Sequence, residues 1–408
     1  MVFGIGAADE GRGFRGVLAV SVCASLGLEL RVGFAGIWAV RELGISTGRL
    51  ALVYAVQALI EAVASVAAGW LADRLSRRPL AVASACGSTV VALGLAGSAG
   101  HPLAGQLLLA GMGAVDALLW VACSVTLADI VQDDQLERAY AAQRTANAAA
   151  YAAGPLLAGA MLVFGFAWLF CAAAAASGIT AALAWRCLPG GVADVASPHE
   201  PRRSARSLIA DRHVVALFVA GTLAYLAFFG TETVLPVALV AADAVSPAVF
   251  GLLFAINPLI TAFVQLPLTA RLATVSVRQQ LVGGTLLMGC APLLLLVRSD
   301  VPSVAVVLAL FTLGELVWAP SVSAFAARTA PPSARGAYLG ALAATYSIGF
   351  ALAPAAGFSA RSAGGDAALW MCLATSAALA ALIYLALTRE AAATRCGFAP
   401  TNAGLIEL

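Results

Sequence analysis

The fold class this sequence predicts is an all-α integral membrane protein with twelve transmembrane helices in two six-helix halves. Three observations carry it: the composition, the recurrence of long apolar stretches, and the placement of arginine. Apolar residues make up 62% of the 408 residues and charged residues 11%, against roughly 45–50% and about 25% in an average soluble domain. A water-soluble surface needs more charge than that to stay dispersed, whereas a bilayer lifts the requirement. The net charge of +2 is too small for a nucleic-acid partner. All 23 basic residues are arginine, a bias expected of a GC-rich bacterial genome. The eight cysteines form no CxxC pair, so neither a disulfide framework nor a metal site is expected, and no cofactor.

The elements follow from the need for about 20 apolar residues to cross a bilayer core. The first run, after Arg12 and Arg15, covers 15–40 without a small-residue cleavage site, so it reads as a span and not a removable signal peptide. Spans two to six fall near 48–72, 79–99, 103–127, 139–162 and 164–187, joined by short turns. The stretch 188–212 holds Pro189, Gly190, Gly191, Pro198 and Pro201 and reads as a central cytoplasmic loop. Spans seven to twelve follow near 213–239, 248–271, 279–298, 302–326, 337–360 and 367–388. Pro236 and the pair Asn257–Pro258 mark expected kinks in spans seven and eight. The expected organisation is therefore an N-terminal half at 1–187, the loop at 188–212, a C-terminal half at 213–390 and a cytoplasmic tail at 391–408.

Arginine sets the orientation. With the N-terminus in the cytoplasm, Arg41, Arg49, Arg298 and Arg361 face outside and Arg31 lies within the first span. The remaining 18 of the 23 fall inside or at the inner interface, a strong positive-inside bias that puts both termini in the cytoplasm. The halves also echo each other. Arg138-Ala139-Tyr140 is followed by a small-residue helix reaching Gly154-Pro155, and Arg335-Gly336-Ala337-Tyr338 by one reaching Ala353-Pro354. Equivalent places in two six-helix halves indicate an internal repeat, a known transporter architecture.

The turn after span two reads Gly69-Trp70-Leu71-Ala72-Asp73-Arg74-Leu75-Ser76-Arg77-Arg78-Pro79. It resembles the GxLaDrxGrkxxl signature of the major facilitator superfamily, with Ser76 in place of the second glycine. The resemblance implies twelve helices, alternating access and a conformational gate. In that family the acid latches the N-half to the start of span eleven in the outward-open state, a role that would fall to Asp73, Arg74 and Arg78, with Gly69 allowing close helix approach and Arg335 standing at the start of span eleven. Gly154-Pro155-Leu156-Leu157-Ala158-Gly159 is similar to the gxxxGPxxGG element of proton-coupled efflux antiporters, which adds Gly154 and Pro155 to the gate. Span four departs from that pattern, since 107–113 carries no arginine.

Ionisable groups deep in a bilayer cost roughly 2.5–3.5 kcal/mol each on insertion scales and call for a reason. Glu29, Glu61, Asp116 and Glu315 fall near mid-depth, Glu232 in the outer third, and Arg31 is the one cation well inside a span. Four of these five acids lie on spans one, four, seven and ten, which line the central cavity in the family that the chain resembles. Glu29 and Arg31 are two residues apart and point to different sides of a helix, so Arg31 must find its carboxylate on another span, with Asp116 the first choice. Glu315 and Glu232 have no basic partner on the C-half spans. An acid buried without a cation keeps its proton until water or a cation reaches it, which is what a proton carrier requires. The expected proton and substrate cavity is thus Glu29, Arg31, Asp116, Trp120, Glu232 and Glu315, with Trp38, Tyr225, Phe228, Phe229 and Trp318 as a possible aromatic lining.

The function expected is proton-coupled export of small amphipathic compounds by a monomer in a bacterial inner membrane. The alternative is an uptake symporter for a small polar metabolite. An intramembrane enzyme would need a nucleophile or metal cluster at one depth, and His101, His199 and His213 lie apart in loops or at span ends. A non-transporting sensor would show no substrate flux.

Overall fold

The computed structural model describes residues 8–189, 211–235, 238, 247–331 and 334–396. The expected central loop and C-terminal tail fall largely outside them. Among the described residues there is no strand. The helices are α1 (Ala8–Arg41), α2 (Thr47–Ala72), α3 (Arg77–Gly97), α4 (Pro102–Ile130), α5 (Leu136–Leu162), α6 (Phe166–Cys187), α7 (Arg212–Phe229), α8 (Pro247–Arg271), α9 (Val277–Cys290), α10 (Val301–Thr329) and α11 (Arg335–Cys396). Nine helices among the described residues are long and apolar enough to cross a membrane. The helices α5 and α8, with 27 and 25 residues, are comparably long, and α5 is diluted by Glu137, Arg138, Gln143, Arg144 and Asn147.

Local chemistry starts and stops these helices as expected. Ser46 and Asp300 accept bonds from Arg49 N and Ser303 N at the starts of α2 and α10, and Ser276 forms a capping box with Gln279 at α9. The long α11 bends where Gly365 takes φ 69°, a conformation that only glycine adopts without strain. The bend separates two arms that match the stretches expected at 337–360 and 367–388. Two helices change winding before they end. A π-helical turn, Gly230–Val234, continues α7, and a 3₁₀ stretch, Ala291–Leu296, continues α9. The kink expected at Pro236 lies outside the described residues.

The apolar core has a revealing shape. At the end that holds Asp73, one cluster runs through both halves, from Phe14, Ala68 and Val125 to Leu217, Phe325 and Leu342. At the opposite end each half keeps its own cluster. Trp38, Leu43, Leu109 and Phe170 belong to the N-half, as does a smaller group with Leu30, Ala158 and Leu169, and Val234, Leu295, Val304 and Trp370 to the C-half. Among the described residues the buried core therefore welds the halves at the Asp73 end and not at the other.

Candidate functional site

Inside the N-half, Arg31 is 1% exposed. Its Nε donates to Gly27 O at 3.2 Å, and Nη2 pairs with Asp116 on α4, the partner that the spacing argument favours. Ser88 Oγ also donates to Asp116, at 3.5 Å. Glu29, on another side of α1, faces α5. A Cβ placed on Gly154 would overlap that of Glu29, so Gly154 lets the two helices pass closely, and Gln143 fastens them by donating to Ser21 at 2.8 Å. Pro155 lies within α5 beside this contact. Glu61, on α2, packs against Gly113 of α4. Trp120, one turn beyond Asp116, is 42% exposed.

The arrangement around Glu315 corrects the expectation of an unpaired acid. Arg144, which the arginine count assigns to the inner side, extends from α5 to pair with Glu315 on α10. Counting charges along single spans misses it because a long guanidinium side chain reaches groups at a different depth from its own Cα. The carboxylate is 7% exposed and well held: Asn257 Nδ2 of α8 donates to Oε2 at 3.1 Å and to Thr312 Oγ1 at 3.0 Å. Arg144 Nε also reaches Gln265 Oε1 at 3.4 Å. Asn257 is thus more than a kink marker. Glu232 lies in the π-helical turn, within electrostatic reach of both Glu315 and Arg144.

An aromatic cluster flanks this pair. Tyr225 lies with ring centroids 4.9 Å from Trp318 and 5.3 Å from Tyr346, and Phe229 lies 5.1 Å from Phe350. Tyr151, Tyr346 and Phe350 are 44%, 46% and 44% exposed. Tyr346 is within electrostatic reach of Tyr151, Glu61 and Glu232, on other helices, so it lies where the N- and C-terminal helices meet. Three of the aromatics expected there are core residues instead, Phe229 being 3% exposed. Trp38 and Trp318 are each 1% exposed, Trp38 packing on Phe170 at 5.1 Å.

At the welded end, Asp73 crosses between the halves. Its carboxylate accepts Gly336 N at 2.6 Å and Ala337 N at 2.9 Å, donors left free at the start of α11. Burial pushes this carboxyl up to about 6, although the Gly336 and Ala337 bonds and Arg77 pull the other way. Arg335 adds further ties, to Ala128 O at 3.0 Å and to Asp129 and Asp133 at 3.6 Å each. Arg328 forms a two-pronged pair with Glu137, and Arg77 holds Asp129 at 3.1 Å. Sequence reasoning missed these partners. Their signal was the run of acids Asp129, Asp133, Asp134 and Glu137 in an acid-poor chain. Arg74 and Arg78, expected in the gate, turn back to their own half. Arg74 stacks 3.8 Å over Trp70, and Arg78 donates to Leu188 O at 2.8 Å, at the end of α6.

The family model for the Major Facilitator Superfamily matches residues 17–241 and 217–402. No curated protein matches the sequence. Among solved structures, the human organic anion transporter MFSD10 (TETRAN) is similar over 93% of this chain and 99% of its own, with 18% identity and a TM-score of 0.74. A bacterial homologue of the iron transporter ferroportin in the outward-facing state is similar over 94% and 100%, with 16% identity and a TM-score of 0.76. FucP of E. coli in the outward conformation is similar over 92% and 98%, with 12% identity and a TM-score of 0.72. At such identities the likeness is one of fold, and it leaves the cargo to be read from the cavity.

Proposed function

The chain belongs to the major facilitator superfamily, and from that premise we propose a proton-coupled secondary transporter of small amphipathic compounds, with Glu315 as its proton acceptor. It is a transporter and not an enzyme. The observation that carries the proton role is the Arg144–Glu315 pair, which joins the two halves between the welded end and the split one. An ionised Glu315 holds Arg144 and so holds α5 against α10. A proton on Glu315 removes that charge and weakens the tie, freeing the halves to part at the Asp73 end. Opening there exposes the acid to the other side, where it releases its proton and the pair re-forms. This is a two-state element of the kind alternating access needs, biased by one titratable group.

With the termini in the cytoplasm of a bacterial inner membrane, as the arginine bias suggests, the structure corresponds to an outward-open carrier. Asp73 and the α11 N-terminus then act as its inner latch, in a protein that works as a monomer. The Gly154–Pro155 element favours export. The buried pair favours the second reading, symport of the compound with a proton, because the proton and the cargo would bind to the same open cavity.

Glu315→Gln tests the proposal in proteoliposomes. Gradient-driven flux should disappear while counterflow exchange continues, since the amide mimics a permanently protonated acid. Equal retention of both activities would remove Glu315 from the coupling role. Flux driven by an imposed pH gradient of either sign, with a panel of amphipathic compounds, separates antiport from symport.

A further inference from the structure

We infer that Arg144 is the anion-binding group of the transport site and that the cargo is an amphipathic monoanion, a carboxylate or sulfonate on an aromatic or apolar body. This rests on the proton-coupled reading and names its cargo. Among the described residues two cations lie deep, and they differ in access. Arg31 is sealed, 1% exposed and tied to Asp116. The side chain of Arg144 is 33% exposed. It gives one terminal nitrogen to Glu315 and Nε to Gln265, and among the described residues no hydrogen bond takes its other terminal nitrogen. Beside it stand Tyr151 and Tyr225, with Tyr346 5.3 Å from Tyr225 and Phe350 one turn further along α11.

Charge balance selects the class of cargo. Arg144 cannot shed its proton in a protein, so its charge must be matched whenever the cavity is closed to water. In the empty state Glu315 matches it. A cationic cargo would have to displace Arg144 from Glu315 and leave a guanidinium unpaired in a low-dielectric site, an unfavourable exchange. A neutral cargo leaves the pair untouched and gains no coupling from it. An anion takes Arg144 from Glu315, and the released carboxylate then accepts a proton, which leaves the site neutral again. Among the described residues no other cation faces Glu315: Asn257 on α8 and Thr312 on its own helix are neutral, and Tyr225 on α7 and Glu232 in the turn that continues it carry no positive charge. Proton and anion therefore bind together, one to one, while the apolar body rests on the tyrosine and phenylalanine rings.

The experiment is equilibrium binding to the full chain in lipid nanodiscs, with three probes of one shape: 2-naphthoate, 2-naphthamide and 2-naphthylmethylammonium. Near pH 6 the wild type should bind naphthoate at least about tenfold more tightly than the amide, as a charge-assisted hydrogen bond implies, with one proton taken up per anion. Arg144→Gln should lose that preference while binding the amide as before, and Arg144→Lys should keep part of it. Glu315→Gln should bind naphthoate near pH 8 as tightly as the wild type does near pH 6, a gain that misfolding cannot imitate. Equal binding of naphthoate and amide, preference for the ammonium probe, or no gain in Glu315→Gln would each overturn the anion site. Binding is read without transport, so the two readings can fail separately. Arg144-dependent naphthoate binding in a carrier indifferent to pH gradients would sustain the anion site and overturn proton coupling. Proton-driven flux with anion binding unaffected by Arg144→Gln would do the reverse.

Discussion

Asp73 is the single residue whose state is most easily set from outside. It holds two backbone donors of α11, and burial raises its carboxyl to about 6, against about 3.9 for a solvated aspartate. Between those values the latched state binds a proton that the unlatched state does not, so acidification favours the latch and rising pH weakens it. The increment should be measured in a Glu315→Gln background, so that the central acid contributes nothing. There, labelling of a cysteine placed at the Asp73 end should fall as pH drops from about 7 to about 5, and Asp73→Asn should abolish the dependence. Greater labelling on acidification would contradict this assignment. Near neutral pH, Asp73→Asn turns one acceptor into a donor facing a donor, at a cost of about 1–3 kcal/mol. It should shift the population away from the latched state and reduce transport without loss of expression. Asp73 was legible in the sequence because a specific motif surrounds it. Arg144 was not, since hydropathy locates a Cα and says nothing of how far a guanidinium reaches.

Between the halves, α2 and α11 approach each other closely. A Cβ on Gly340 would lie 2.5 Å from Ser65 O and 2.9 Å from Gly69 Cα, nearer than real Cβ contacts come, and Gly69 and Gly336 meet backbone to backbone. Gly340→Val should therefore exclude the latched arrangement and cut transport by about tenfold or more, as overpacking of 1–3 kcal/mol implies. An unchanged rate in a variant that inserts normally would show that the helices need not come so close. At this scale the sequence was readable where helices are apolar and punctuated, as at the bend at Gly365 between the last two arms. It was misleading for Trp38 and Trp318, because an aromatic at helical spacing looks the same whether it faces a cavity or a core. It was silent on the π-helical turn at Glu232, because apolar spacing does not report how a helix is wound.

Apolar run lengths and an internal echo led to the expectation of two halves, but they say nothing of how the N- and C-terminal helices meet. That depends on pairs distant in sequence, such as Arg328 with Glu137 and Arg335 with Asp129, which no local pattern reveals. The shared apolar cluster at the Asp73 end and the separate ones at the other have a consequence for the surrounding lipid. A wedge of this form occupies more area in one leaflet than in the other, so closing it must return area to that leaflet alone. The lateral pressure of the acyl chains then does work in the transport cycle, with a sign fixed by which leaflet is wider. Lipids with small headgroups, which crowd their chains, should favour the closed wedge, and lipids with large headgroups the open one. Spectroscopic distances across the split end, measured in phosphatidylethanolamine-rich and phosphatidylcholine bilayers, should be shorter in the former. Equal distances in the two would mean that the wedge opens by tilting the halves within a constant footprint, and that the membrane is a bystander to the cycle instead of a spring within it.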